Sequence, residues 1–152
     1  MSSIPTLVLI KSNPPLWTAG VGLLTPANET DIMAAIKVVQ DSDAVVLAIG
    51  IDRDVEREAL DRGNTTLPPA QEELALRVIA SAASKPVVIV LVNGGILSID
   101  SLLRAAGDTG NVAIIEAFNP AQQGGPACSL EIFFDCISYW IYLLPYHCLV
   151  FI

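Results

Sequence analysis

The sequence predicts the α/β class, a three-layer α/β sandwich on a mostly parallel sheet. Two observations lead there. Three short apolar runs, over residues 44–49, 87–92 and 112–117, are each bounded by turn residues. Runs of this kind read as strands covered on both faces, the condition of parallel sheets. Stretches with helical apolar spacing lie between them, and the order α-β-loop-α-β-α-β calls for right-handed crossovers.

In chain order, residues 29–40 read as the first helix. Ile32, Ala35, Ile36 and Val39 recur at helical spacing, and Asn28 or Thr30 can cap the start. Asp41-Ser42-Asp43 ends it, and Ala44 to Ile49 is the first strand, closed by Gly50. A second helix begins near Leu67 with Pro68 and Pro69 in its first turn, where a missing N–H costs nothing. Leu74, Ala75, Val78, Ile79 and Ala82 form its inward stripe. Lys85-Pro86 leads into the second strand, Val87 to Val92, which Asn93-Gly94-Gly95 closes. A helix over 98–106, a turn over 107–110 and a strand over 112–117 complete the series.

Composition limits the function classes. The chain is 53% hydrophobic and 16% charged, against typical values of about 45–50% and about 25%. A net charge of −8 argues against nucleic acid, which needs clustered Lys and Arg, and against an anionic membrane surface. Cys128, Cys136 and Cys148 form no C-x-x-C pair, and His147 is the only histidine. Neither a metal site nor a histidine-based triad is expected, and no cofactor is implied. Gly20-Val21-Gly22 lacks the third glycine of a dinucleotide fingerprint, and no Gly-Lys-Ser/Thr follows Asn93-Gly94-Gly95. The compartment stays open.

Residues 128–152 differ in kind. The last basic residue of the chain is Arg104, and the three tyrosines fall between Phe133 and Phe151. From Cys136 onward the stretch falls short of the about 20 apolar residues a membrane span needs. Pro145 and His147 also interrupt it. The composition favours codons outside the parent gene's normal reading frame over a membrane anchor. Such a tail has no evident place on the sheet.

In an open parallel sheet, ligands bind beyond the carboxyl ends of the strands. Segments 51–62, 93–97 and 118–125 occupy that edge. The first is the most charged stretch of the chain, with Asp52, Arg53, Asp54, Glu56, Arg57, Glu58, Asp61 and Arg62. The bland account is a solvated helical turn with Glu58 and Arg62 paired at i, i+4. The functional account uses one carboxyl as half of the acid/base chemistry of glycosidic cleavage, which takes two such groups.

Several motifs turn this into a resemblance. They are Ala44-Val-Val-Leu-Ala-Ile-Gly-Ile-Asp52, Glu56-Arg-Glu58-x-x-Asp61-Arg62 and Leu67-Pro68-x-x-Gln71-x-x-Leu74. Pro86 to Gly95, Ala113 to Pro120 and Gly124-Gly125-Pro126-Ala127 continue the series in order. Together they resemble the second domain of glycoside hydrolase family 3, on its β-xylosidase-like side. The resemblance implies an incomplete α/β domain over 30–127, a partial N-terminal segment over 1–29 and an atypical tail over 128–152. It further implies a partner barrel domain, absent from this chain, that supplies an Asp nucleophile. The substrate would be a β-linked oligosaccharide or aryl glycoside. Glu58 would be the acid/base, Glu56 is the competing assignment, and Asp61 and Arg62 would shape the loop. Asn119-Pro120-Ala121 departs from the family's aromatic-Pro-Gly, which puts sugar stacking at 119 in doubt. Other readings are a non-catalytic module binding sugar or protein, and a truncated gene product without activity. A receiver-like domain is a further one, which Asp52 or Asp54 could suit, but no later strand ends in the Lys it needs.

Overall fold

The computed structural model describes residues 7–10, 16–126, 128 and 149–151. Its elements are β1 (Leu7–Ile10), β2 (Trp17–Thr18), α1 (Glu29–Gln40), β3 (Ala44–Gly50) and α2 (Pro69–Ala82). They continue with β4 (Val87–Val92), α3 (Asp100–Thr109), β5 (Val112–Phe118), a short 3-10 turn (Ala121–Gln123) and β6 (Leu149–Phe151). One sheet runs β2-β1-β3-β4-β5-β6. The pairs β3–β4, β4–β5 and β5–β6 are parallel, while β1 is antiparallel to both β2 and β3. The α/β class and the parallel strands over 44–50, 87–92 and 112–118 are as the sequence led us to expect.

Strands β3, β4 and β5 are laid down side by side in one direction, so right-handed crossovers place α2 and α3 on the same face. The main core is on that face. Val45, Leu47 and Ile49 of β3 and Ile89 and Leu91 of β4 pack there against Ile32, Leu74, Val78 and Leu102. A smaller cluster of Val90, Ile115 and Ala117 lies on the opposite face, with Cys128 packed against it. The two faces explain why these strands read as unbroken apolar runs.

Local chemistry sets the helix ends. Asn28 is the cap of α1, its Oδ1 accepting from the Thr30 N–H at 3.0 Å. Lys85 Nζ donates to the carbonyls of Val39 and Gln40 at 2.8 and 2.7 Å, placing a cation on the carboxyl end of α1. Arg77 of α2 makes a two-pronged ion pair with Glu29 of α1 and ties the two helices together. Helix α3 runs to Thr109, past the expected end at 106. Gly107 is tolerated inside it, and the stop falls at Gly110, whose φ of 69° is a left-handed cap.

The sheet is wider than the sequence suggested. Leu7–Ile10 pairs along β3, and Leu149–Phe151 pairs along β5 opposite residues 114–116. For these last three residues the expectation that the tail has no place on the sheet is wrong, because β5 would otherwise be an open edge for a strand to add to. The remainder of the tail, except Cys128, lies outside the described residues. Among the described residues, no helix is long and apolar enough to cross a membrane.

Candidate functional site

The charged segment leaves the sheet at Gly50. A Cβ there would sit 1.8 Å from the Val92 carbonyl oxygen, and its φ of 154° suits glycine, so only Gly lets β3 and β4 stay paired to this point. The Gly50 N–H donates at 2.8 Å to Oε1 of Gln71, a buried side chain of α2. A polar residue on an inward helical face thus closes the last strand bond before the loop.

Beyond Gly50 the backbone turns tightly. Asp52 Oδ1 accepts from the Asp54 N–H at 2.8 Å, and its carbonyl accepts from Val55 and Glu56, each at 3.1 Å. Arg57 and Leu60 then exchange both backbone hydrogen bonds, at 3.0 and 2.9 Å. The result is a tight two-residue turn with Glu58 and Ala59 at its tip, and Ala59 takes a positive φ of 65°, the conformation a type II turn places at its second central residue. Glu58 is exposed there, and its carboxylate makes no hydrogen bond or ion pair among the described residues.

Glu56 is held differently. Its carboxylate pairs with Arg62 Nε, and Arg62 Nη2 donates to the Ile96 carbonyl at 2.6 Å. The Arg62 side chain is only 11% exposed. A Cβ on Gly95 would meet both Arg62 Nη2 and Glu56 Oε2 at 3.1 Å, so the glycine makes room for the pair. This replaces the helical i, i+4 pairing of Glu58 with Arg62: the segment forms a hairpin, and Arg62 reaches Glu56 instead. Asp61 is exposed and lines a cavity of about 290 Å³, together with Asp52, Glu56, Gly94, Gly95 and Asn119. A larger, mainly apolar cavity of about 570 Å³ is lined by Arg62 together with Leu23, Pro26, Val55, Leu67 and Pro68.

The other two edge segments are stitched to each other. The Asn93 N–H donates to the Phe118 carbonyl at 3.0 Å, and Asn93 Nδ2 donates to the Gly95 carbonyl at 2.5 Å. Glu116 Oε1 accepts from the Phe118 N–H at 3.2 Å. Burial pushes the Glu116 carboxyl above its ordinary range, against smaller lowering effects from the Phe118 N–H and the Asn93 amide. The register slips at this point: Leu91 pairs with Glu116 and Val92 with Phe118, so Ala117 bulges. Neither Asn93 nor Glu116 was singled out from the sequence, although a carboxylate within the apolar run 112–117 was a usable signal. Among the described residues, no group of three or more His, Cys, Asp and Glu side chains is placed to hold a metal ion.

This is an open α/β domain whose carboxyl edge presents three interlocked loops, one of them carrying a free carboxylate at a hairpin tip. Comparison with known proteins gives the family. The glycosyl hydrolase family 3 C-terminal domain matches residues 5–135, and the chain belongs to that family. It is 39% identical over 105 residues to β-D-xylosidase 3 of Arabidopsis thaliana, which covers 69% of this chain and 13% of that protein. Among solved structures, an exo-β-xylosidase of the family in complex with a xylobiose aziridine probe superimposes with a TM-score of 0.67. It is 29% identical, over 78% of this chain and 15% of that one. A β-glucosidase from Bifidobacterium adolescentis gives 0.62 and 31% identity, over 74% of this chain and 16% of that one. The chain therefore spans about an eighth to a sixth of the length of these relatives.

Proposed function

We propose that this segment contributes the acid/base loop of a retaining β-glycosidase of the β-xylosidase or β-glucosidase type, with Glu58 as the acid/base. In this reading residues 30–127 form the incomplete loop-bearing domain. The observation that carries it is the contrast between the two glutamates. Glu58 stands exposed at the tip of a tight turn with its carboxylate unengaged, whereas Glu56 is committed to Arg62. A general acid must reach the glycosidic oxygen of a substrate held largely by another domain, and a hairpin tip gives that reach without loosening the sheet. Arg62 then acts on the loop rather than on the sugar, and Asp61 lies on the rim of the smaller cavity.

The chemistry divides between two carboxyl groups. Glu58 gives its proton to the leaving oxygen while an Asp of the barrel domain attacks the anomeric carbon and forms a glycosyl-enzyme. Glu58, now a carboxylate, takes a proton from the water that releases the sugar. The scheme needs the two carboxyl groups about 5–5.5 Å apart.

The test is made in a full-length enzyme carrying this segment. Glu58→Gln should suppress hydrolysis of substrates with poor leaving groups and largely spare the first step with good ones, because a leaving group of low pKa departs without protonation. Glu56→Gln should not show this dependence. If the dependence follows Glu56, the two roles are reversed; if it follows neither, the segment is a solvated charge run.

A further inference from the structure

We propose that Asn64 is an acceptor for an N-linked glycan, presented to an oligosaccharyltransferase by the loop that follows Arg62. The inference is independent of the acid/base reading. Two Asn-x-Thr triplets occur in the chain, Asn28-Glu29-Thr30 and Asn64-Thr65-Thr66, and neither has proline in the middle. The triplet alone is a short pattern, so the conformation of each one decides between them.

At Asn64 the turn brings the two defining groups together. Its Oδ1 accepts from the Thr66 N–H at 3.2 Å and from the Thr66 hydroxyl at 2.9 Å. Its Nδ2, the atom that takes the sugar, makes no hydrogen bond among the described residues. Asn64, Thr65 and Thr66 are all exposed, and a Cβ on the neighbouring Gly63 would meet nothing within 4 Å. The backbone behind them is anchored, because the Thr65 carbonyl accepts from the Ser98 N–H at 2.8 Å and Leu67 is buried. A bulky polar chain on Nδ2 therefore extends into water, and Oδ1 keeps both of its bonds. Asn28 is committed elsewhere. Its Oδ1 caps α1 through the Thr30 N–H at 3.0 Å, and Glu29 and Thr30 already belong to that helix. The Thr30 hydroxyl makes no hydrogen bond to it.

The modification joins Nδ2 of Asn64 to the anomeric carbon of an oligosaccharide carried on a polyprenyl pyrophosphate. The bond from that carbon to the pyrophosphate oxygen breaks, the lipid pyrophosphate departs, and Nδ2 gives up one of its two protons to a base.

The experiment uses a full-length enzyme carrying this segment, secreted from a eukaryotic host. Peptide N-glycosidase in ¹⁸O-water leaves a labelled Asp wherever a glycan stood, and trypsin then frees residues 63–77 as one peptide, from the cut after Arg62 to Arg77. The wild type should give this peptide with labelled Asp at position 64, while residue 28 stays Asn. Thr66→Val keeps the branched shape without the hydroxyl and should abolish the label. Thr66→Ser should retain it, and Asn28→Gln should leave it unchanged. An unlabelled Asn64 in the wild type overturns the proposal, as does a label that survives Thr66→Val or appears at 28 in place of 64. Should Thr66→Val not be secreted, the wild-type and Thr66→Ser digests decide. No glycoside hydrolysis enters the measurement, so this site can fail while Glu58 stands as the acid/base, and the reverse.

Discussion

Replacing Gln71 with Leu isolates the contact that closes β3 where the loop begins. Gln71 is 2% exposed, and its Oε1 is the acceptor for the buried Gly50 N–H at 2.8 Å. Leucine has nearly the same volume, so neither a cavity nor overpacking dominates. What remains is a buried N–H without a partner, which costs about 1–3 kcal/mol. Gly50 cannot turn elsewhere, because its backbone already lies against the Val92 carbonyl. For a chain of this size each kcal/mol lowers Tm by about 2–4 °C, so a fall of about 2–12 °C is expected. Urea unfolding followed by far-UV circular dichroism, with an unchanged m-value, measures the free energy directly. A loss below about 0.5 kcal/mol, the range of a neutral surface change, would refute the reasoning.

Two further outcomes follow from the same geometry. Because burial raises the Glu116 carboxyl, its contribution to stability is fully present below the ordinary glutamate range and is lost as pH rises through the displaced one. The chain should therefore lose stability relative to Glu116→Gln as pH climbs from the glutamate range toward neutrality, and parallel urea melts of both that track each other across that interval would contradict the sign. The 152-residue chain by itself should not hydrolyse aryl β-xylosides or β-glucosides, since an acid/base carboxyl without a nucleophile forms no glycosyl-enzyme; turnover that copurifies with the chain and disappears in Glu58→Gln would show otherwise.

Much of the fold was legible because its signals are local. Residues 44–49 and 87–92 are apolar throughout, with one set of side chains in the main core and Val46, Ala48, Val88 and Val90 in the smaller cluster on the other face, so hydropathy alone marks the strands. Asn28 and Pro69 act through the backbone next to them and locate the starts of α1 and α2, whereas the end of α3 at Gly110 was missed because Gly107 reads as a breaker ahead of the true stop. The short flanking strands were less legible. Leu7–Ile10 and Leu149–Phe151 are defined by pairing with β3 and β5, and pairing is a long-range property that a short apolar run does not announce. The site divides in the same way. The spacing of Glu56, Glu58, Asp61 and Arg62 was visible, but spacing does not say which glutamate Arg62 holds. That depends on Gly95 and Ile96, more than thirty residues away, and on the turn that lifts Glu58 away from Arg62.

Formation of a β-glycosyl azide tests the assignment of Glu58 most directly. In a full-length enzyme carrying this segment, Glu58→Gln is given an aryl β-xyloside with a good leaving group and sodium azide. The nucleophile still forms the glycosyl-enzyme, but no general base is left to activate water, whereas the azide anion attacks without one. The expected result is azide-dependent recovery of turnover, with β-xylosyl azide as product and none formed by the wild type or by Glu56→Gln. Azide product from Glu56→Gln with none from Glu58→Gln would contradict the account.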